Sequence, residues 1–436
     1  MASRARLAAL AAALLLAGCL PAAPISAPPP STEAAPTPAP AATMTPAPAM
    51  SFPEIVIVPA TGGVQVVGLA RNDSSLPLRD VSLAIDLLDD DGESLGKLVA
   101  ALLLSSVQPG ALSPFRAAVP EGLSPASTRV TLDGYRVGTR VPFIVALESA
   151  STAASADGTR LLGLVRNEGP QAIQIRELAV VWRDGGGSLA GAGLAAIPHA
   201  PVPSDANLPW TALAPGAVEV GEVDVFAAAT ALLPNTEVLL EVSVDPAWRR
   251  TVQGRGYVTG EIRNVSAIPL LPAVAVTLWA QGELVGLEIL RSTVPLPPGE
   301  VLAYGAETFP SLDARLERLG VAVQEVVPSV VVSASAAPAF SEPRLEITVL
   351  HFEVIGSRVY LEGTLTRGGE QPLAGAEIHA ALRSVEGELQ SATWLPIAPG
   401  SAGAPVPFRL DLPLPAGVNS ALSEIDLRAV GLPFSP

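Results

Sequence analysis

A pattern that occurs four times along this chain constrains its fold more than any other feature. Each copy begins with a short segment led by glycine and continues with an alternating apolar strand, a turn and a Pro-Gly pair. The leading glycines, spaced about 100 residues apart, are Gly68, Gly163, Gly260 and Gly363. The units of solenoid proteins are only about 20 to 50 residues long, so each copy has the size of a domain.

The alternating segments predict antiparallel β-strands. They span residues 81–87, 178–182, 274–278 and 378–382, and a period of two is typical of strands that bury one face. Glycines in the turns that follow supply the positive φ of a tight hairpin. The chain has 44 prolines, 38 glycines and no long helical pattern, a combination that favours β-sandwiches.

We therefore predict an all-β protein of four tandem immunoglobulin-like antiparallel β-sandwich modules, each of the usual size of about 100 residues. The predicted modules are residues 51–141, 142–249, 250–337 and 338–436. A Pro-Gly pair is expected before the last strands of each module, at 109–110, 215–216, 298–299 and 399–400.

The N-terminus carries a targeting signal. Arg4 and Arg6 precede an apolar run over 7–16, and small residues then lead to Cys19, the only cysteine. This stretch resembles the lipobox of bacterial lipoproteins. The resemblance implies a signal peptide over 1–18 and a Cys19 thiol that carries acyl chains such as palmitate. The alternative is an incidental cysteine, with cleavage among the nearby alanines. The apolar run is shorter than the ~20 residues of a membrane-spanning helix.

Residues 19–50 are predicted to form a disordered tether after the lipidated cysteine. Residues 20–50 contain ten prolines, and Glu33 is their only charged residue. Such a composition cannot bury a core and favours extended, polyproline-like conformations.

The repeated motifs also suggest a family. A strand ending in Gly-x-x-x-Asn, an alternating strand, an acidic or glycine turn and a later Pro-Gly resemble the FxLYD-type immunoglobulin-like domain of bacterial surface lipoproteins. Modules 1 and 3 match best, module 2 has an extra stretch before its Pro-Gly, and module 4 lacks the Arg-Asn pair. The resemblance implies an extracytoplasmic structural or binding role without catalysis.

Two segments of the first turn invite chemical interpretation. Residues 92–96 match the Gly-x-Ser-x-Gly nucleophile elbow around Ser94, but no helix pattern follows the serine, as that motif requires. Asp89, Asp91 and Glu93 form an acidic cluster that could bind calcium through oxygen ligands, yet their spacing departs from a calcium loop. A solvated hairpin tip is the simpler interpretation. We predict no cofactor and no metal site.

Module 2 supplies the strongest candidate for binding, an insertion over 198–210 that contains His199, Asp205 and Trp210. Loops that project from a sandwich often bind ligands, and Trp210 could stack on a sugar or anchor a protein. The alternative is a proline-stiffened crossover with Trp210 packed on the sandwich. His379 is expected to face solvent.

The net charge of the chain argues against one class of partner, nucleic acid. At a formal charge of -16 the chain repels phosphate backbones, so we predict no nucleic-acid partner. The resulting hypothesis is a non-enzymatic lipoprotein, anchored to the bacterial cell membrane or outer membrane, that serves envelope organisation, adhesion or binding of an envelope protein or glycan. The alternatives are an accessory subunit of an envelope transport or secretion complex and, least favoured, an esterase built around Ser94.

Overall fold

The structure, a computed structural model, confirms an all-β fold of tandem antiparallel sandwiches. It describes residues 49–433 except 61–62, 142, 156–157, 217–218, 233–238, 252–254, 308–311, 338–344, 370–372, 399 and 419–422. The signal segment, Cys19 and the predicted tether up to residue 48 lie outside the described residues, and Met50, predicted as the end of the tether, begins the first strand.

All four modules share one strand order. The first two strands form a hairpin and the fifth main strand joins it, giving what we call the first sheet. The third strand is the centre of the second sheet, flanked by the fourth and the last strand. In modules 1 and 2 a two-residue strand also pairs with the start of the central strand.

The strands of module 1 are β1 (Met50–Ala60), β2 (Gly63–Asn72), β3 (Leu78–Leu88), β4 (Ser94–Ala101), β5 (Ser106–Val107), β6 (Leu112–Ala118) and β7 (Ser127–Val137). Those of module 2 are β8 (Val145–Ser155), β9 (Gly158–Asn167), β10 (Ile173–Arg183), β11 (Leu189–Leu194), β12 (Pro201–Val202), β13 (Asn207–Pro215) and β14 (Glu222–Ala231).

Module 3 contains β15 (Leu240–Arg250), β16 (Gly256–Asn264), β17 (Leu270–Ala280), β18 (Glu283–Arg291), β19 (Val301–Glu307), the helix α1 (Leu312–Leu319), a short 3₁₀ helix (Val323–Glu325) and β20 (Val327–Ala336). Module 4 contains β21 (Leu345–Ile355), β22 (Arg358–Arg367), β23 (Leu373–Ser384), β24 (Leu389–Ile397), β25 (Val406–Pro413) and β26 (Ser423–Pro433). In the described part of the chain, no helix has the length and apolarity needed to cross a membrane.

Strand β15 pairs with β16 over most of its length. This pairing places the division between modules 2 and 3 ahead of Leu240, whereas the sequence pattern suggested residue 249. Leu240, Val242 and Val244 alternate with polar residues, a pattern that predicts a strand but does not show which sheet the strand joins.

The predicted alternation of buried and exposed residues holds for β3 but not for its counterparts. In β3, Val81, Leu83, Ile85 and Leu87 are buried while their neighbours are partly exposed. In β10 and β17 the central residues are buried on both faces. Small side chains on the outer face, such as Ala179 in β10 and Ala275 in β17, lie under another layer of protein. A second sheet must therefore cover them.

The leading glycine of each repeat leaves space for an aromatic ring. Each glycine lies opposite an aromatic residue of the fifth main strand, and a Cβ atom in its place would come within 2.1 to 2.8 Å of that side chain. The four pairs are Gly68–Phe115, Gly163–Trp210, Gly260–Tyr304 and Gly363–Phe408. The repeated glycine is thus a packing requirement of the first sheet.

The asparagine four residues later fixes the chain after that strand. Asn72, Asn167 and Asn264 are all fully buried. The Asn72 Nδ2 donates hydrogen bonds to the carbonyls of Leu76 and Val107, at 2.8 and 3.0 Å. Asn167 and Asn264 make the equivalent pairs of bonds. Module 4 carries Arg367 at this position.

Two of the four predicted Pro-Gly pairs do not form the turn that precedes the fifth main strand. In modules 1 and 3 the amide of Gly110 or Gly299 donates to the carbonyl of the repeat asparagine. The same bond is made by Asp205 in module 2, and by Gly403 to Arg367 in module 4. Pro215-Gly216 therefore is not the equivalent turn, and in module 4 Gly403 rather than Gly400 makes this bond. The left-handed turn geometry, not the Pro-Gly dipeptide, is what the modules share.

Candidate functional site

The most distinctive surfaces of the molecule are the three interfaces between consecutive modules. At each one, the first sheet of a module packs against the second sheet of the next. The apolar contacts join Val58, Val67 and Leu69 to Val181, Leu189 and Ala192, then Leu162 to Ala275 and Leu287, then Ala303 to Ala381, Leu389 and Ala392. This packing buries the outer faces of β10 and β17 and explains why they do not alternate.

An ion pair fixes the interface between modules 1 and 2. Both terminal nitrogens of Arg183 lie 2.9 Å from the carboxylate oxygens of Glu54, and the Arg183 Nε lies 3.2 Å from Asp224. Arg183 is 17% exposed. The hydrogen bond from Arg183 lowers the pKa of Glu54, and the two carboxylates raise the pKa of Arg183. A bidentate geometry of this kind sets the relative orientation of the two modules.

A tyrosine fixes the interface between modules 3 and 4. The buried Tyr257 hydroxyl donates to the carbonyl of Ala392 at 2.6 Å and accepts the amide hydrogen of the same residue at 2.8 Å. Ser391 donates to it as well, at 3.1 Å. Burial raises the pKa of Tyr257 to about 12. Nearby, the indole nitrogen of Trp394 donates to the carbonyl of Ala303 at 2.7 Å.

The same interface contains a buried carboxylate between a hydroxyl and an imidazole. Glu377, 1% exposed, accepts from the Ser292 hydroxyl at 2.6 Å, and the His379 Nε2 lies 2.8 Å from the same oxygen. In a hydrolase triad the imidazole stands between serine and acid, where it can take the hydroxyl proton. Here the carboxylate is in the middle, so the imidazole does not contact the serine. The expectation that His379 faces solvent is wrong, since its side chain is 13% exposed within this interface.

Trp210 and Asp205, two of the three candidate binding residues, lie in the core and in a turn of module 2, respectively. Trp210 is fully buried in the core of module 2 as the aromatic partner of Gly163. It therefore offers no face for a ligand to stack on. Asp205 has a φ of 60° in the turn position that is glycine in the other modules, and its carboxylate lies 3.3 Å from Arg166. The proposed projecting loop is a crossover that contributes β12 and β13 to the two sheets.

His199, the third candidate, lines a cleft of about 500 Å³ between modules 2 and 3. The other polar residues around this cleft are Gln174, Arg176, Arg291, Ser292, Ser333 and Ser335. Burial, and the positive charges of Arg291 and Arg176, lower the pKa of the His199 imidazole. Sequence reasoning did not predict this grouping, because its members come from three separate strands, the loop that carries His199 and the residue that follows β18.

The turn between β3 and β4 of module 1 is held by the side chain of Asp89. Asp89 Oδ1 accepts the backbone amides of Asp91 and Glu93, at 3.0 and 2.9 Å, and Asp184 makes the same bonds in module 2. Ser94 opens β4 directly after this turn and is exposed. Within the described ranges, no three His, Cys, Asp or Glu side chains lie close enough together to hold a metal ion.

Comparisons with known proteins do not assign the chain. No family model matches it. No curated protein matches it either. Among solved structures, Escherichia coli alpha-2-macroglobulin activated by porcine elastase is similar at 11% identity, with 88% of this chain and 44% of that chain covered and a TM-score of 0.13. Dimeric latent PorU from Porphyromonas gingivalis is similar at 8% identity, with 85% and 32% covered and a TM-score of 0.13. The chain spans less than half the length of either protein, and at these TM-scores the likeness carries no argument.

Proposed function

We propose that this protein is a non-enzymatic, lipid-anchored lipoprotein of the bacterial envelope whose four modules act as one stiff body for envelope organisation, adhesion or binding of an envelope protein or glycan. The observation that carries the proposal is the repeated sheet-to-sheet packing of consecutive modules. Modules joined only by flexible linkers move independently, whereas modules that share buried faces move together.

Polar contacts within the interfaces support stiffness. Apolar faces can slide, but the bonds of Arg183 to Glu54 and of Tyr257 to Ala392 each require one orientation of the two modules. Glu288 and Arg160, 3.7 Å apart, lie across the interface between modules 2 and 3. Each interface thus combines apolar side chains with at least one hydrogen bond or ion pair between the two modules.

Stiffness is measured by small-angle scattering on the purified chain and on a variant with one interface loosened. Arg183→Ala removes the polar contact between modules 1 and 2, while Arg129→Ala removes an exposed arginine of module 1 as a matched control. We expect the parent and the control to fit a single conformation and Arg183→Ala to need several. A parent chain that itself needs an ensemble of module orientations contradicts the proposal.

Anchoring is tested separately. Cells that express the full chain are given an alkyne-labelled palmitate analogue and then fractionated. We expect label and membrane association in the parent and neither in Cys19→Ser. The lipoprotein part of the proposal is contradicted if label persists in Cys19→Ser or if the parent chain carries no label. Neither result bears on the proposal that the modules form one stiff body.

An accessory subunit of an envelope transport or secretion complex is the second candidate, and strand β21 favours it. Large apolar side chains of this strand are exposed, with Leu350 at 69%, Ile355 at 54% and Phe352 at 48%. Exposed apolar clusters of this kind often mark contacts with other proteins. A photo-crosslinking amino acid placed at Leu350 in living cells tests this. We expect a discrete adduct with one envelope protein, while the absence of any adduct argues against the second candidate.

A further inference from the structure

The cleft between modules 2 and 3 concentrates positive charge in a strongly acidic protein. Arg176 lies in β10 of module 2, Arg291 ends β18 of module 3, and His199 lies between them on the loop after β11. Burial, and then the charges of Arg291 and Arg176, lower the pKa of the His199 imidazole, so both guanidinium groups lie near this ring. The whole chain carries a net charge of -16, so its electrostatic potential is mostly negative. A concave surface lined by two arginines differs from the rest of the protein in this respect.

Neither guanidinium in the cleft contacts a carboxylate of the described residues. The Arg176 Nε donates to the Thr230 hydroxyl at 3.3 Å, and an Arg291 terminal nitrogen donates to the carbonyl of Ile197 at 3.0 Å. Glu377, a carboxylate close to the cleft, has its oxygens bonded to Ser292 and Thr293. Each arginine therefore keeps further donors available, and planar guanidinium groups match the geometry of carboxylate and phosphate.

A buried hydroxyl in the cleft lacks a partner. Ser333 is 6% exposed, lies in β20 opposite Ala273, and its Oγ has no hydrogen-bond partner among the described residues. A buried polar group without a partner lowers stability unless something else satisfies it. Ser335, the next residue on the same face of β20, also lines the cleft.

We propose that this cleft binds a small ligand through an oxyanion group, a carboxylate or a phosphate. The arginines supply charge and paired donors, and Ser333, which lines the cleft, carries a hydroxyl without a partner among the described residues. The volume of about 500 Å³ is enough for a sugar acid or a sugar phosphate and falls within the usual range of ligand sites, which often lie between domains. This site goes beyond the proposed stiff-body function and does not depend on it.

The test is calorimetric titration of the full chain, purified in detergent, with glucuronate, with inorganic phosphate and with neutral glucose. We expect one or both anions to bind and glucose not to bind. Binding of glucuronate alone assigns a carboxylate ligand, and binding of phosphate alone assigns a phosphate ligand. If neither anion binds at concentrations up to about 10 mM, the proposal is overturned.

Variants separate the site from non-specific attraction. Arg176→Gln is expected to weaken binding at least about tenfold, because it removes a charged hydrogen-bond donor. Arg129→Gln, the same charge change on an exposed strand of module 1, is expected to leave binding unchanged. Ser333→Ala is expected to weaken binding without lowering the stability of the ligand-free protein. Equal effects of Arg176→Gln and Arg129→Gln, or full binding by both Arg176→Gln and Ser333→Ala, contradict the proposal.

Discussion

Two buried tyrosines in module 3 permit a matched test of what holds modules 3 and 4 together. Tyr257 is 1% exposed and Tyr304 is fully buried, so their rings contribute similar apolar burial. The Tyr257 hydroxyl makes three hydrogen bonds to the backbone and side chains of module 4. The Tyr304 hydroxyl has no hydrogen-bond partner among the described residues. We therefore expect removal of the hydroxyl to lower the free energy of unfolding at Tyr257 but not at Tyr304.

Tyr257→Phe leaves the buried amide and carbonyl of Ala392 without that partner. Since an orphaned buried polar group costs about 1–3 kcal/mol, we expect a loss of about 2–3 kcal/mol in the free energy of unfolding. Tyr304→Phe removes a hydroxyl that is already unpaired, so we expect its free energy of unfolding to be unchanged or slightly higher.

Urea denaturation of the two variants and the parent measures these free energies, and hydrogen exchange locates the effect. The Ala392 amide should exchange faster in Tyr257→Phe and at the parent rate in Tyr304→Phe. Equal destabilisation by the two substitutions would mean that ring packing, not the hydroxyl, is what matters at this interface. A neutral Tyr257→Phe would refute the reasoning outright.

Three further predictions concern the repeat and the first interface. Asn72→Ala should lower the free energy of unfolding by about 2 kcal/mol, because two buried carbonyls lose their donor, and chemical denaturation measures this. Asp205→Gly should be neutral or stabilising by up to about 1 kcal/mol in the same assay, since a φ of 60° suits glycine better than aspartate; a large loss would instead assign importance to its ion pair with Arg166. Because Arg183 lowers the pKa of Glu54, the stability from this pair is present above the ordinary glutamate pKa of 4.5 and is lost as the pH falls through the lowered value. Glu54→Gln should remove that part of the acid dependence in melting curves between pH 3 and pH 7, run beside an exposed Glu121→Gln control, and an unchanged acid dependence would contradict the assignment.

The repeat in the sequence was sufficient to predict the modules and their central strands, because local patterns determine local structure. The sequence alone reveals the repeated glycine of the motif, but it does not reveal why the fold requires a glycine there. Phe115 and Trp210 lie far along the chain from their glycines, and only strand pairing shows that they are partners. An aromatic residue at a near-constant distance after each glycine was the signal that could have revealed Trp210 as a core residue.

The interfaces could not be predicted from the same patterns. The segment 178–182, predicted above as an alternating strand, is apolar at every position, so its sequence fits a strand with one buried face as well as a strand with two. Only the burial of Ala179 and Val181 beneath module 1 distinguishes the two. The cleft was equally hidden, because Arg176, Arg291 and Ser333 are ordinary strand residues until modules 2 and 3 pack together.

The direction of packing has a consequence for biosynthesis. A ribosome delivers module 1 first, and the outer face that carries Val67 and Leu69 has nothing to cover it until Val181, Leu189 and Ala192 have been made. The same delay recurs for Leu162 and for Ala303, whose covering residues also lie in the following module. Each nascent module therefore presents an apolar sheet face for the time needed to make most of another module, a period in which such faces are prone to aggregate. The apolar face of each of the first three modules is therefore buried only after the following module has been made. Chaperones that hold extended chains would act during the time between these two events.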